Sequence, residues 1–341
     1  MWAELDPGSA DPLLPPRPGP AFYDSTSQRW VLSQYDNVLR ALREPRLSLY
    51  DTRPSGMDVR DNSIRVRLKT RAALSAARLA EWRARIERLA LDSIARLPRG
   101  VSIDFAADFA RPWSVATATI VTGAQAIDSG NLEQLARRVS EAAADPSNPQ
   151  LEAEATIADA ELNKYFERGA IPMGGPAFVA LSQTLPAFLA NAWLGLLRHP
   201  AEIKKLRNQP DLMGNAVQEL FRYAGLARKV SRHAADSVSV AGIRMSKGER
   251  ATLLLASANR DPKQFPDPDR LDIARDAAGQ VAFGAGSHSC VGVSLIRMAV
   301  AVATSAFVQA VAGADESRTI EWHGGSSFQW PSELYVYLEN A

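Results

Sequence analysis

The sequence predicts a mostly α-helical fold with a minor share of β-structure, in one continuous domain spanning residues 1–341. Three observations predict it. Long segments carry apolar residues at helical spacing, among them "LEQLARRVSEAAAD" and the strongly apolar "AFVALSQTLPAFLANAWLGLLRHP". Shorter stretches alternate apolar and polar residues, as in "VSVAGIRM" and "SELYVYL". No internal repeat, low-complexity tract or linker divides the chain.

Taken in order, the first 28 residues are rich in proline and are expected to run extended over a surface. "RWVLSQ" has the composition of a short strand. "YDNVLRALREP" places Val38, Leu39 and Leu42 on one helical face, and Pro45 stops that helix. "YDTRPSGMDVRDNS" reads as a loop. Ile64 to about Leu97 reads as helix, and "VSIDFAADFARPW" as a short strand and turn. "LEQLARRVSEAAAD" and "LEAEATIADAELNKYFER" are two amphipathic helices separated by "PSNP". The apolar stretch that follows is a buried helix ended by Pro200. "DLMGNAVQELFRYAG" is a helix closed by Gly225. "VSVAGIRM" and "RATLLLAS" are strands, and "NRDPKQFPDPDRLDIAR" is a long ordered loop. "VGVSLIRMAVAVATSAFVQAVAG" is a second buried helix, and "SELYVYL" a final strand.

Composition narrows the function. Hydrophobic residues make up 46% and charged residues 23%, ordinary for a folded protein with a large core. A formal net charge of +1 gives no global field for nucleic acid or an anionic membrane. No cationic start precedes an apolar run at the N-terminus, and no stretch reaches about 18 uninterrupted apolar residues, so neither a secretory signal nor a membrane span is expected. A single cysteine forms no internal disulfide, which fits a reducing cytoplasm. With 4 histidines and that one cysteine, a structural zinc site has few ligands to draw on.

That cysteine, Cys290, stands in "FGAGSHSCVG", where a glycine loop meets a long helix. The helix N-terminus offers positive potential and free N–H groups, which favour thiolate over thiol. Gly284, Gly286 and Gly292 remove side chains, so backbone or a flat ligand approaches closely. A thiolate with N–H donors around it and Phe283 as an aromatic guard suits an axial metal ligand.

The loop resembles the haem-binding loop of the cytochrome P450 family, Phe-Gly-x-Gly-x-His/Arg-x-Cys-x-Gly, with every specified position present. The resemblance implies the fold of that family and haem b (iron protoporphyrin IX) as cofactor. It makes Cys290 the proximal thiolate on iron and His288 a donor to a haem propionate. The family's Glu-x-x-Arg mark is supplied by Glu219 and Arg222, a pair that on its own reads as a helix salt bridge. In relatives that pair locks the cysteine loop under the haem. Arg232 in "SRHA" matches a propionate-binding arginine, whose bidentate guanidinium suits a carboxylate. "SIRVRLKTRAALSAARLAEWRARIERL" is similar to the helix that begins His-x-Arg-x-Arg in the family. Ser63 replaces the histidine, and Arg67 is a propionate partner by the same resemblance. Arg65 is either a second partner or a solvated helix charge.

Two departures stand out. The oxygen-activating helix of the family carries Ala-Gly-x-Asp/Glu-Thr, where this chain has Ala180, Leu181, Ser182, Gln183 and Thr184. Thr184 and Gln183 are the candidate distal residues, but Gln183 cannot titrate. Pro186 removes an N–H close by, which leaves a route to a kink. The chain is also short for the family before Trp30, between Pro45 and Ser63, and between Arg168 and Phe178. These losses fall on the lid and substrate roof. Apolar positions that resemble pocket linings are Phe178, Ala180, Leu181, Leu226, Val230, Phe328 and Trp330.

The reading is a short, soluble, bacterial-type haem-thiolate monooxygenase acting on a small to medium hydrophobic natural product. The resemblance implies electrons from a ferredoxin or flavodoxin with its reductase, steered by arginines such as Arg65, Arg67 and Arg297. The first rival is peroxide-driven or redox-neutral haem chemistry, because the distal acid is absent. The second is a non-catalytic haem-binding relative that acts as a partner protein.

Overall fold

The structure, a computed structural model, describes residues 13, 15, 17–49, 67–124, 129–146, 148–166, 171 and 174–339. A two-strand ribbon, β1 (Phe22–Asp24) and β2 (Arg29–Leu32), leads into helix α1 (Tyr35–Arg43) and strand β3 (Leu47–Ser48). The proline-rich stretch expected to be wholly extended thus ends in a paired strand, because β2 satisfies its backbone groups. Helix α1 buries Val38 and Leu42 as its spacing predicts and stops before Pro45, with Glu44 extended.

Helix α2 is described over 67–73, and α3 spans Ala76–Ala95. The sequence reads as one helix there. Ser75 divides it by capping α3, its side chain accepting from the Arg78 N–H at 3.4 Å. Strand β4 (Ile103–Asp104) leads through a π-helical turn (Ala106–Ala110) into α4 (Arg111–Thr122). The turn expected in this stretch is in fact that π-helical turn, which runs without a break into α4.

Helices α5 (Ser129–Ala144) and α6 (Pro149–Phe166) pack side by side. The apolar core helix comes in three pieces: α7 (Gly174–Val179), a π-helical turn (Ala180–Thr184) and α8 (Leu185–Leu197). It ends at Leu197, and Pro200, expected to end it, instead opens α9 (Pro200–Asn208). Helix α10 (Met213–Ala224) stops at Gly225, which is not left-handed as a helix-closing glycine commonly is (φ −52°). A Cβ there would lie 2.7 Å from the Phe221 carbonyl oxygen, so the close approach is what requires glycine.

Strands β5 (Lys229–Ala234), β6 (Val238–Val240), β7 (Ile243–Met245) and β8 (Arg250–Leu254) follow, then α11 (Leu255–Ala258) and the long loop. Helix α12 (Val293–Ala310) and strands β9 (Val311–Ala314), β10 (Trp322–Gly324), β11 (Gln329–Pro331) and β12 (Tyr335–Leu338) complete the chain. The main sheet has the order β1-β2-β8-β5-β3, antiparallel except for the parallel pair β2–β8. Strands β4, β12 and β9 form a second sheet.

Two hydrophobic clusters hold this together. The larger is helical and centres on α8, where Trp193 stacks on Phe307 of α12 at 4.7 Å. The smaller lies between α1 and the main sheet. The core helix from Gly174 to Leu197 and α12 are long and apolar enough to cross a membrane. They are instead 72% and 50% buried within the protein, as core helices are.

Candidate active site

The loop from Phe283 to Cys290 is shaped by its glycines. Gly284 and Gly286 adopt φ +67° and +72°, where side chains are rarely tolerated. A Cβ on Gly286 would also lie 2.7 Å from the Leu42 carbonyl oxygen, so the end of α1 presses directly on the loop. The Cys290 N–H donates to the Phe283 carbonyl at 2.9 Å and closes the loop, with His288 in a short 3-10 turn within it. Gly292 caps α12, and its backbone N–H acts on the Cys290 sulfur.

Cys290 is exposed to a recess of about 280 Å³, lined also by Arg71, Phe283, Gly284, Ser289 and Arg297. Although the residue has exposed surface, desolvation of the sulfur by the walls of that recess pushes its thiol up. The Gly292 N–H and the Arg67 charge pull it down, and burial wins. The backbone N–H at the helix end acts in the direction the sequence implies, toward thiolate, and burial opposes it. Arg67 donates to the Ser289 carbonyl, one residue from the cysteine. Ser63 and Arg65 lie outside the described residues.

Two arginines nearby have unanswered donors. Arg232 is 2% exposed, and one Nη donates to its neighbour Ser231's carbonyl at 2.8 Å. Its Nε meets no partner among the described residues, and burial pushes its pKa down to about 10. The Nε of Arg297 is likewise buried without a partner among the described residues, and burial lowers its pKa. A buried guanidinium with no carboxylate beside it is costly unless an anion joins it.

Glu219 and Arg222, both with fully buried side chains, form a bidentate pair at 2.6 and 2.7 Å. Arg222 also donates to the carbonyls of Asn259, Pro268 and Arg270. Glu219 accepts from the Asp272 N–H and from Arg275. Asn259 Oδ1 accepts from the Val281 N–H at 2.8 Å, and the Val281 carbonyl accepts from Gly284. A hydrogen-bonded path thus runs from the pair to the glycine loop. Arg275 and Asn259 escaped notice in the sequence because nothing local marks them; their partners lie 56 and 22 residues away.

On the opposite side, the π-helical turn falls on Ala180–Thr184, the stretch singled out in the sequence. The Ala180 carbonyl accepts both from the Leu185 N–H and from Thr184 Oγ1, the latter at 2.7 Å. Turns of this kind gather at functional positions. Three aromatic rings connect this helix to the loop. Phe188, one turn past Thr184, stacks on Phe221 at 4.4 Å, and Phe221 meets Phe283 edge-on at 4.5 Å. Sequence reading missed Phe188 and Phe221, since aromatic residues in apolar helices carry no sign of what they touch.

The remaining apolar candidates divide. Phe178 is fully buried and packs on Phe166 at 5.8 Å, and Leu181 is buried in the same helical core. Ala180, Val230, Phe328 and Trp330 are half-buried, and Leu226 is buried. Phe328 bridges to Ala227, beside Leu226, whereas Trp330 lines a separate recess with Gln183.

Comparison with known proteins sets these features in a family. The family model described as cytochrome P450 matches residues 200–312, which include Glu219, Arg222, Arg232 and the whole cysteine loop. Over those residues the chain matches the cytochrome P450 family, and bacterial members of it match along most of its length. "Cytochrome P450 107B1" of Saccharopolyspora erythraea is 27% identical over 333 residues, 82% of this chain and 81% of that one. "Vitamin D(3) 25-hydroxylase" of Pseudonocardia autotrophica is 28% identical, over 79% of this chain and 77% of that one. The crystal structure of P450BioI in complex with a hexadec-9Z-enoic acid-ligated acyl carrier protein matches with a TM-score of 0.82 at 22% identity. That match covers 94% of both chains.

This P450 is accordingly a haem b protein and a monooxygenase of the haem-thiolate class. Its residues fit the group. An accessible thiol stands at a glycine-lined recess, and Arg232 and Arg297 present buried donors that an anionic, flat molecule would satisfy.

Proposed function

We propose that this P450 monooxygenates a small to medium hydrophobic organic substrate between the Cys290 loop and the Ala180–Thr184 turn. Haem b, when bound, supplies the redox chemistry that activates dioxygen. Cys290 would hold the iron, with Phe283 shielding the sulfur from water. Arg67, Arg232 and His288 would hold the propionates. The Glu219–Arg222 pair keeps the loop in shape through Asn259 and Val281. Thr184 donates its hydroxyl proton to the Ala180 carbonyl, one turn before Phe188 along the same helix.

The observation that carries this reading is the aromatic column that joins the bulged turn to the cysteine loop. It ties the two elements that the chemistry requires to one another. Electrons would come from a ferredoxin or flavodoxin with its reductase. Residues 67–99 hold nine basic and three acidic side chains, although the whole chain is near neutral. Arg71 of that stretch lines the Cys290 recess together with Arg297, which suits an acidic carrier.

The absorption spectrum of the dithionite-reduced protein under carbon monoxide tests the ligand. A strongly red-shifted Soret band is expected in the wild type and its loss in Cys290→Ser. An unshifted wild-type band would overturn the assignment. Gln183 supports a second reading, turnover driven by hydrogen peroxide, because an amide cannot supply protons. Product formed from peroxide without reductase, and none from dioxygen with it, would favour that reading.

A further inference from the structure

Behind the bulged turn lies a recess of about 470 Å³. Its rim is exposed and polar: Arg111 of α4, Gln134 and Arg137 of α5, and His323 of β10. Its floor is the turn itself, with Ser182 at 1% exposure and Gln183 half-buried. Helix α5 turns its leucines, Leu132 and Leu135, into the core. It lays a polar stripe with Glu133, Ser140 and Glu141 along the recess. A surface helix ordinarily turns its polar stripe to open solvent; this one lines a pocket against a core helix.

The floor offers hydrogen bonds to water. Gln183 Nε2 donates weakly to Ser182 Oγ at 3.4 Å, leaving its carbonyl oxygen for other donors. The Leu185 N–H is taken by Ala180, and Pro186 has no N–H to give Leu181 or Ser182, so the bulge frees a carbonyl. Ser140 of α5 and Ser332, which follows β11, add their hydroxyls to the same lining. Polar groups arranged in this way around a roomy site hold ordered water.

We propose that this recess is a proton inlet, in which Glu133 and Glu141 provide the titratable carboxylates that position 183 lacks. Gln183 holds the water that passes the protons on toward Thr184. The proposal rests on the dioxygen-dependent reading above. In that reaction each turnover consumes one dioxygen, two electrons from the carrier and two protons. One oxygen atom enters the substrate and the other leaves as water. Both protons come from solvent, and the carboxylates that give them up recover them from the bulk through the open rim. Arg111, Arg137 and His323 are the other charged or titratable groups that face the recess among the described residues.

The experiment compares wild type with Glu133→Gln/Glu141→Gln, using an alkoxycoumarin whose dealkylation fluoresces as the reporter substrate. Turnover with dioxygen should fall about tenfold. More of the electrons should end in released hydrogen peroxide, and the solvent isotope effect in heavy water should grow. Turnover driven by added peroxide, and the carbon monoxide band, should stay as in the wild type. Adding Gln183→Glu to the double variant should restore coupling, a rescue that a merely structural role would not give. Gln183→Leu tests the route from the other end, without touching α5, and should lower coupling in the same way. Unchanged coupling in both the double variant and Gln183→Leu would overturn the inlet alone. A wild type that makes product from peroxide and none from dioxygen would overturn the inlet together with the reading beneath it.

Discussion

The two sides of this site are built by different means. On the cysteine side, position is set by hydrogen bonds and backbone geometry. A fully buried ion pair, five further polar contacts on that pair and two left-handed glycines leave the loop one shape. On the opposite side, position is set by packing. The π-helical turn sits among packed helices, and its side-chain bonds, Thr184 to Ala180 and the long Gln183 to Ser182, stay within the turn itself. A hydrogen-bonded frame tolerates almost no change of residue type, because each removed partner strands another buried group. A packed frame accepts new residues of suitable volume. The contrast explains why the family pattern is complete around Cys290 and altered at Leu181 and Gln183.

Substitutions can break or sharpen that contrast. Arg222→Ala should have the largest effect, about 3–5 kcal/mol of stability, because it leaves Glu219 charged and buried. Urea unfolding of the purified variant measures it, and a loss below about 1 kcal/mol would refute the picture of a rigid frame. Gly286→Ala should cost about 1–3 kcal/mol through its left-handed backbone and its contact with Leu42, and should weaken haem retention with it. Arg232→Lys should speed haem loss about tenfold, as read by transfer to apomyoglobin, because it replaces a bidentate donor with a point charge. Thr184→Val should be the mildest for stability, within about 1 kcal/mol, since the turn is held by packing. Its effect should appear instead as uncoupled electron consumption. A large loss of stability there would erase the distinction between the two sides.

Much of the fold was legible because its signals are local. The helices at α1, α5, α6, α10 and α12 follow from apolar spacing and from the prolines and glycines that bound them. What was misread depended on partners far away in sequence. The strand at Phe22–Asp24 exists because β2 pairs with it, and the break at Ser75 because its hydroxyl caps a helix. Within the site, Cys290, Glu219 and Arg222 announce themselves by spacing. Asn259 and Arg275 do not, since each works through one long-range hydrogen bond. The raised thiol of Cys290 could not be read from a motif at all. It is the outcome of a competition between burial and neighbouring charge that only the folded surroundings decide.

The column of Phe188, Phe221 and Phe283 has a consequence for geometry at large. Close-packed rings, one pair stacked and one edge-on, compress little, so they act as a shim between the bulged helix and the cysteine loop. No backbone hydrogen bond has to span that gap. Evolution can therefore retune the gap by exchanging one ring for a slimmer side chain, leaving both walls, and the residues mounted on them, as they are.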